Sequence, residues 1–210
     1  MKITVIGATG MVGSRVTTEA LRRGHRVTAV SRRPAERPHP AQAIAASADL
    51  TDPAALDAVL AGADTAVISV RPVRNDETTV AATMRHVLDV AAAHRTRLVI
   101  VGGAGPLRSP RSSGLVVDDT AYVPEAWRAT AAASVAQLRA CERHAKADWT
   151  YLSPPAVLAP GERTGSYRRG TVHLLTDASG ASRISAEDLA AAVVDEIETP
   201  SGQRHITVAY

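Results

Sequence analysis

The sequence predicts a single α/β domain on a doubly wound parallel sheet, with helices on both faces. Three observations predict it. Short apolar, β-branched runs alternate with amphipathic segments of helical period along the chain. Three glycines, Gly7, Gly10 and Gly13, follow the first run at three-residue spacing. A length of 210 residues makes one large domain rather than two small ones, and a hydrophobic fraction of 45% supplies it with a sizeable core.

Ile3, Val5 and Ile6 mark the first strand. Val12, Val16, Ala20 and Leu21 share one face of a helix over residues 11–23, with Gly24 as its C-cap. Between them, Gly7 permits a sharp turn and Gly10 lets a pyrophosphate approach the backbone. Gly13 lets the helix pack close to the strand, and the helix N-terminus adds N–H groups and positive dipole. This order of strand, glycine turn and helix points to a dinucleotide site at Gly7, Thr9, Gly10, Met11, Val12 and Gly13 rather than to a plain tight turn.

The second strand, residues 25–30, ends at Ser31-Arg32-Arg33. An NAD site carries an Asp or Glu about twenty residues after the glycines to hold the ribose 2′-hydroxyl. Here a hydroxyl and two guanidinium groups stand instead, the chemistry that binds a 2′-phosphate. NADP is therefore expected over NAD, with Ser31, Arg32 and Arg33 as its contacts. Residues 34–40 form a proline-rich polar loop and residues 42–47 a third strand. Asp52 then caps a short helix that starts at Pro53 and ends at Leu60. Asp49, followed by Leu50, lies where a third strand meets an adenine pocket. It either contacts the adenine amino group or shapes the turn.

Residues 65–70 form a fourth strand, whose end carries Ser69 and Val70 and hands over to residues 71–76. That is the sheet edge where ligands bind in such folds. A helix over residues 77–94 turns Val80, Met84, Val87, Leu88 and Ala91 inward, leaving His86 and His94 on or near its polar side. Residues 97–101 are a continuous apolar run, as in a central parallel strand. Gly102-Gly103-Ala104-Gly105-Pro106 opens a loop to about Pro124, longer than usual connections, where a nicotinamide ring and a substrate would fit.

An Ala-rich helix over residues 124–146 places Cys141 in the core. A sixth strand, residues 148–152, is stopped by Ser153-Pro154-Pro155. Residues 157–183 read as irregular, with a short strand at 172–175, and residues 153–183 form part of the substrate side. Ser185 caps the last helix, with Leu189, Val193 and Ile197 inward, and residues 205–209 close the sheet. Tyr122, Trp127 and Tyr167 are aromatic side chains for an acceptor site, or equally for packing.

Composition narrows the partners. Net charge is only +3, the arginines are scattered, and the chain has two Trp, four Tyr and no Phe. A basic stripe with stacking aromatics is absent, so no nucleic-acid partner is expected. No apolar run reaches membrane-span length, and the chain opens directly on a strand, so a cytoplasmic protein is expected. One cysteine allows no intramolecular disulfide. No metal site is expected, and the oligomeric state is left open.

Gly7-Ala-Thr-Gly-Met-Val-Gly13 resembles the glycine motif of atypical and extended short-chain dehydrogenase/reductases. Arg74-Asn-Asp76, Ser153-Pro-Pro155, Gly161-Glu-Arg-Thr-Gly-Ser-Tyr167 and Ser182-Arg-Ile-Ser-Ala-Glu-Asp-Leu189 narrow it. Together they are similar to the NADH-flavin reductase subgroup, related to the biliverdin reductase B type, over essentially the whole chain. The resemblance implies a Rossmann-like sheet of order 3-2-1-4-5-6 plus a C-terminal strand. It implies NADP(H) at residues 7–13 and Arg32. Arg74, Gly103 and the Pro154-Pro155 pair would lie near the nicotinamide, with Gly102 beside them and a shallow substrate site at Ala104 and Ala156.

The departures are informative. Classical members use Tyr-x-x-x-Lys to move a proton to or from a substrate oxygen. The only lysines here are Lys2 and Lys146, and Glu142 stands four residues before the latter. Tyr122 and Tyr151 are followed at the fourth position by Ala126 and Pro155. Ala156 stands where biliverdin reductase B-like members carry histidine, and Trp127-Arg128 where the subgroup often has Tyr-Lys. No catalytic side chain is therefore assigned. Hydride transfer to an oxidised flavin or quinone survives these losses, since the product takes its proton from water and the protein supplies proximity. FMN, FAD or riboflavin would then be a substrate, not a resident cofactor. A non-catalytic NADP-binding redox sensor, or a pathway-specific reductase or isomerase, fits the same residues.

Overall fold

A computed structural model describes residues 1–34, 40–70 and 76–210. The strands are β1 (Lys2–Ile6), β2 (Arg26–Ser31), β3 (Ile44–Ser47), β4 (Thr65–Ile68), β5 (Arg97–Val101), β6 (Trp149–Ser153), β7 (Val157–Ala159), β8 (Arg168–Gly170), β9 (Arg183–Ser185) and β10 (His205–Ala209). The helices are α1 (Met11–Arg22), α2 (Pro53–Leu60), α3 (Glu77–His94), α4 (Arg128–Glu142) and α5 (Ala186–Glu198). The main sheet has the order β3-β2-β1-β4-β5-β6-β10-β8. All its neighbours pair in parallel except β8, which runs antiparallel to β10 at the edge. The chain thus reverses its winding between β1 and β4, which opens a crevice at the carboxyl ends of the strands.

Both sheet faces are covered, so the central strands are apolar on both sides: every residue of β4 is buried, and Leu98 to Val101 of β5 likewise. One core lies beneath α1 and α5, where Val12, Val16 and Ala20 meet Ala190, Val193 and Ile197. Small Ala side chains on both helices let them approach closely, which suits a chain with no Phe. The second core lies beneath α2, α3 and α4, around Leu56, Met84, Leu88, Leu98 and the fully buried Tyr151. Cys141 is buried there.

The expected caps are present. Asp52 accepts from the Ala54 and Ala55 N–H groups, and Ser185 Oγ from the Asp188 N–H. The strand expected at residues 172–175 is replaced. The free edge of β10 pairs with Arg168–Gly170, while Leu174 joins Leu107, Val116 and Val123 in a small separate core. That segment keeps two backbone bonds, Arg108 N–H to Val172 O and Leu174 N–H to Arg108 O. Burying Leu174 satisfied an apolar residue that a solvent-facing edge would have exposed. The helix expected over residues 124–146 is a 3-10 turn at Glu125–Trp127 followed by α4, which stops at Glu142. β7 and β9 pair in a separate two-stranded sheet that sequence patterning did not reveal. His94 bonds Asp57 at 2.7 Å, whereas His86 is half-buried with Nε2 enclosed rather than solvated.

The irregular stretch after β7 is tied down by charge. Glu19 is almost fully buried on α1 and takes paired hydrogen bonds from Arg163 and Arg22 and one from Arg23. Burial alone would raise this carboxyl. The three guanidinium groups outweigh it and hold Glu19 well below the usual carboxylate range. Asp188 accepts from Thr164 Oγ1 and the Gly165 N–H, and Glu187 from the Gly161 N–H.

His205 on β10 pairs with Ser153 Oγ at 2.9 Å, and burial pushes its imidazole down to about 4. Between the ordinary value of 6.5 and about 4, the unfolded chain takes up this proton and the folded chain does not. Stability contributed by neutral His205 is therefore expected to be present above pH 6.5 and lost as pH falls to about 4. Melting temperatures across that window check this: His205→Gln flattens the slope, and an unchanged slope refutes the assignment.

Candidate dinucleotide site

The crevice is built from the β1–α1 turn upward. Gly7 has a φ of +91°, and a Cβ there would meet the Ser69 carbonyl oxygen at 2.2 Å. A Cβ on Gly13 would meet the Gly7 carbonyl oxygen at 2.1 Å, so this glycine sets how closely α1 approaches the turn. Gly10 differs. Its nearest obstacle is Gly7 O at 3.2 Å, so neither backbone geometry nor packing demands a glycine as strictly there. What lies in front of Gly10 is open cavity. α1 has no side-chain cap, which leaves its first-turn N–H groups without a side-chain acceptor.

Two cavities meet over this turn, of about 580 and 660 Å³. Gly10, Ser69, Val70 and Gln137 line both. The smaller runs over the ends of β1, β2 and β3, with Gly7, Thr9, Ser31, Arg32, Asp49 and Leu50 in its walls. The larger opens between β5, β6 and α4. Its walls carry Met11, Val12, Gly102, Gly103, Ala104, Tyr122, Trp127, Pro154, Pro155 and Ala156. The structure thus brings most of the expected residues into one continuous groove.

Others stand apart. Gly13 lies beneath the turn, and Arg33 is exposed without lining either cavity. Tyr167 is not at the cleft: its ring packs on the core beneath α1 and α5, and its hydroxyl donates to Asp195. A partly buried phenol needs a hydrogen-bond partner, and a carboxylate on α5 supplies one. Arg74 lies outside the described residues. Thr83 and Met84 of α3, and Ser134 and Gln137 of α4, line the cavities although the sequence reading did not select them. Ser134 and Gln137 are polar residues on a buried helical face, and that interruption was the available signal.

Ser31 Oγ is enclosed and has no hydrogen-bond partner among the described residues, although Ser31 is only 8% exposed. Such a hydroxyl is an unusual expense unless a ligand satisfies it. Asp49 Oδ1 accepts from both the Thr51 N–H and Oγ1, at 2.9 and 2.8 Å, so this residue does shape the turn. These bonds, with Arg32 nearby, hold its carboxyl below the ordinary range.

The glycine run after β5 proves to be a packing requirement. A Cβ on Gly102 would overlap the Tyr151 hydroxyl, 1.9 Å away, and one on Gly105 would lie 2.4 Å from Ala131 O. The loop that follows has its own small core, and Ser109 Oγ donates to Asp119 Oδ2 at 2.6 Å. It is a wall of the cleft with fixed internal contacts. Among the described residues, Tyr122 is the one titratable side chain lining the larger cavity. Tyr151 lies behind the wall, where burial pushes its hydroxyl well above the ordinary tyrosine range. No group of metal-ligating side chains occurs among the described residues, and none of their helices is long and apolar enough to cross a membrane.

A doubly wound sheet with a glycine turn at its switch point and a two-chambered groove above it defines a Rossmann-like nucleotide-binding protein. The chain belongs to the NAD(P)H-binding family, whose model matches residues 7–200. Three solved structures are similar over its whole length. A candidate exported protein of Burkholderia pseudomallei is 42% identical, with a TM-score of 0.88 and 100% of both chains covered. A candidate epimerase of Bacteroides thetaiotaomicron is 33% identical, with a TM-score of 0.90 and 100% and 96% covered. A candidate NADH-flavin reductase of Streptococcus pneumoniae is 27% identical, with a TM-score of 0.87 and 100% and 99% covered. The open space before Gly10, the uncapped α1 and the orphaned Ser31 hydroxyl fit a nicotinamide dinucleotide.

Proposed function

We propose that the protein is an NADPH-dependent reductase acting on a planar, electron-poor acceptor of the flavin or quinone class. The observation that carries this reading is the chemistry of the larger cavity, whose described walls are mostly apolar and hold no acid–base pair. Reducing a ketone, or epimerising through one, needs a positioned proton donor. A flavin or quinone takes its proton from water. When bound, the nicotinamide supplies the hydride.

The chain's residues then bind, orient and exclude. Gly10 and the α1 N-terminus receive the pyrophosphate, Ser31 and Arg32 the 2′-phosphate, and the Asp49–Leu50 turn borders the adenine. Pro154 and Pro155 wall the nicotinamide end without offering N–H donors that would compete for the acceptor. Half-buried Tyr122 and Trp127, which is 55% exposed, flank the mouth as a stacking surface for an aromatic ring. Residues 153–183 complete the substrate side. FMN, FAD and riboflavin enter as substrates, and the candidate NADH-flavin reductase among the similar structures supports that class.

Steady-state oxidation of NADPH and NADH, followed by nicotinamide absorbance with FMN, FAD, riboflavin and a soluble quinone, tests this. NADPH oxidation with at least one of these acceptors, and none with simple ketones, is expected. Tight NADPH binding with no turnover on any of them would overturn this reading in favour of a redox sensor or a pathway-specific reductase or isomerase.

A further inference from the structure

Gln137 sits at the one place where both cavities share a polar side chain from α4. The residue is only 6% exposed. The Tyr151 hydroxyl lies 3.1 Å from Gln137 Oε1 and 3.0 Å from the Ser134 carbonyl oxygen, so its single proton is shared between two acceptors. Tyr151 is itself fully buried beneath Gly102, where even a Cβ would collide with its ring. Oε1 thus faces the hydroxyl at the wall, which turns Nε2 the other way. Gln137 Nε2 has no partner among the described residues, yet it is not among the enclosed unsatisfied atoms, so it reaches the cavity surface.

A carboxamide whose N–H₂ faces the groove and has no protein acceptor among the described residues is a donor placed for whatever occupies it. Any dinucleotide that occupies both chambers must pass this point. We propose that Gln137 is a positioning residue whose Nε2 donates a hydrogen bond to an acceptor oxygen on the ribosyl-nicotinamide half of the bound dinucleotide. Tyr151 acts through it, by fixing which end of the amide faces the groove. Because the bond is a single neutral donor in a fixed place, it selects the reach and orientation of the nicotinamide end and adds nothing to the adenosine end. The assignment rests on the dinucleotide reading above.

Calorimetric titration of wild type, Gln137→Met and Tyr151→Phe with NADPH, NADH and 2′,5′-ADP tests it. The last probe carries the adenosine half alone. Gln137→Met should weaken both dinucleotides about tenfold and leave 2′,5′-ADP unchanged, the loss expected when one buried hydrogen bond leaves its acceptor unpaired. Tyr151→Phe, which removes one hydroxyl and preserves packing, should weaken the dinucleotides several-fold in the same selective way. It also serves as the test if Gln137→Met does not fold. Unchanged dinucleotide affinity, or an equal loss for 2′,5′-ADP, would overturn the assignment while leaving the dinucleotide reading intact. Wild type binding neither dinucleotide would overturn that reading and this assignment with it.

Discussion

Gly10→Ala is expected to abolish most NADPH binding while leaving the fold intact, and Gly13→Ala is expected to do the reverse to the fold. The two glycines stand three residues apart in one motif, but the space around them differs. A methyl on Gly13 would lie 2.1 Å from the Gly7 carbonyl oxygen, an atom of backbone that cannot step aside without moving α1 off the turn. Overpacking of that kind costs about 1–3 kcal/mol or more. In a domain of this size each kcal/mol lowers the melting temperature by roughly 2–4 °C. A methyl on Gly10 meets the same oxygen at 3.2 Å, which a small adjustment relieves, and its φ of −78° suits any residue. That methyl would instead occupy the open groove where a pyrophosphate meets the α1 N–H groups. Losing two charge-assisted hydrogen bonds, at about 1.5–3 kcal/mol each, corresponds to a hundredfold or greater loss of affinity. Thermal melting and NADPH titration of both variants check this. A Gly10→Ala protein that binds normally would remove the turn from the binding surface.

The contrast between these glycines shows what the sequence made legible. Spacing and flanking patterns identified the strand–turn–helix unit, because buried parallel strands and amphipathic helices leave local periodicities. They also gave the β2 end at Ser31-Arg32 and the caps at Asp52 and Ser185, since those features are written within a few residues. What stayed hidden depends on residues far apart in the chain. Gly102 and Gly105 read in sequence as the opening of a binding loop, but Tyr151 and Ala131 fill the space their side chains would need. Leu174 looks like part of a strand until Leu107, Val116 and Val123 offer it a place to be buried. Tyr167 reads as a loop aromatic near the acceptor, whereas Asp195 on α5 draws its hydroxyl elsewhere. Gln137 belonged to no motif; its polarity on an otherwise apolar helical face hinted at a role, and the meeting of two cavities at its side chain gives that role a place.

Arg32→Ala is expected to weaken NADPH by about 10- to 100-fold and NADH by little, as loss of a charge-assisted contact to one phosphate implies. Arg32 lines the smaller cavity next to Ser31, whose enclosed hydroxyl has no protein partner among the described residues. A 2′-phosphate would satisfy both at once, whereas a ribose hydroxyl offers no charge for the guanidinium to meet. The same cavity wall contains Asp49, kept ionised by its Thr51 hydrogen bonds and by Arg32 itself. Removing Arg32 therefore subtracts an attractive charge and also unmasks a repulsive one, and both act against the phosphate and spare NADH. Since Arg32 is exposed, rising salt should erode the wild-type preference and change the variant much less. Ser31→Ala isolates the neutral part of the contact: several-fold weaker NADPH, NADH unchanged, and the salt dependence retained. Dissociation constants for both cofactors at low and high salt decide the matter. Equal or tighter binding of NADH by the wild type would mean that the end of β2 presents its guanidinium to solvent alone.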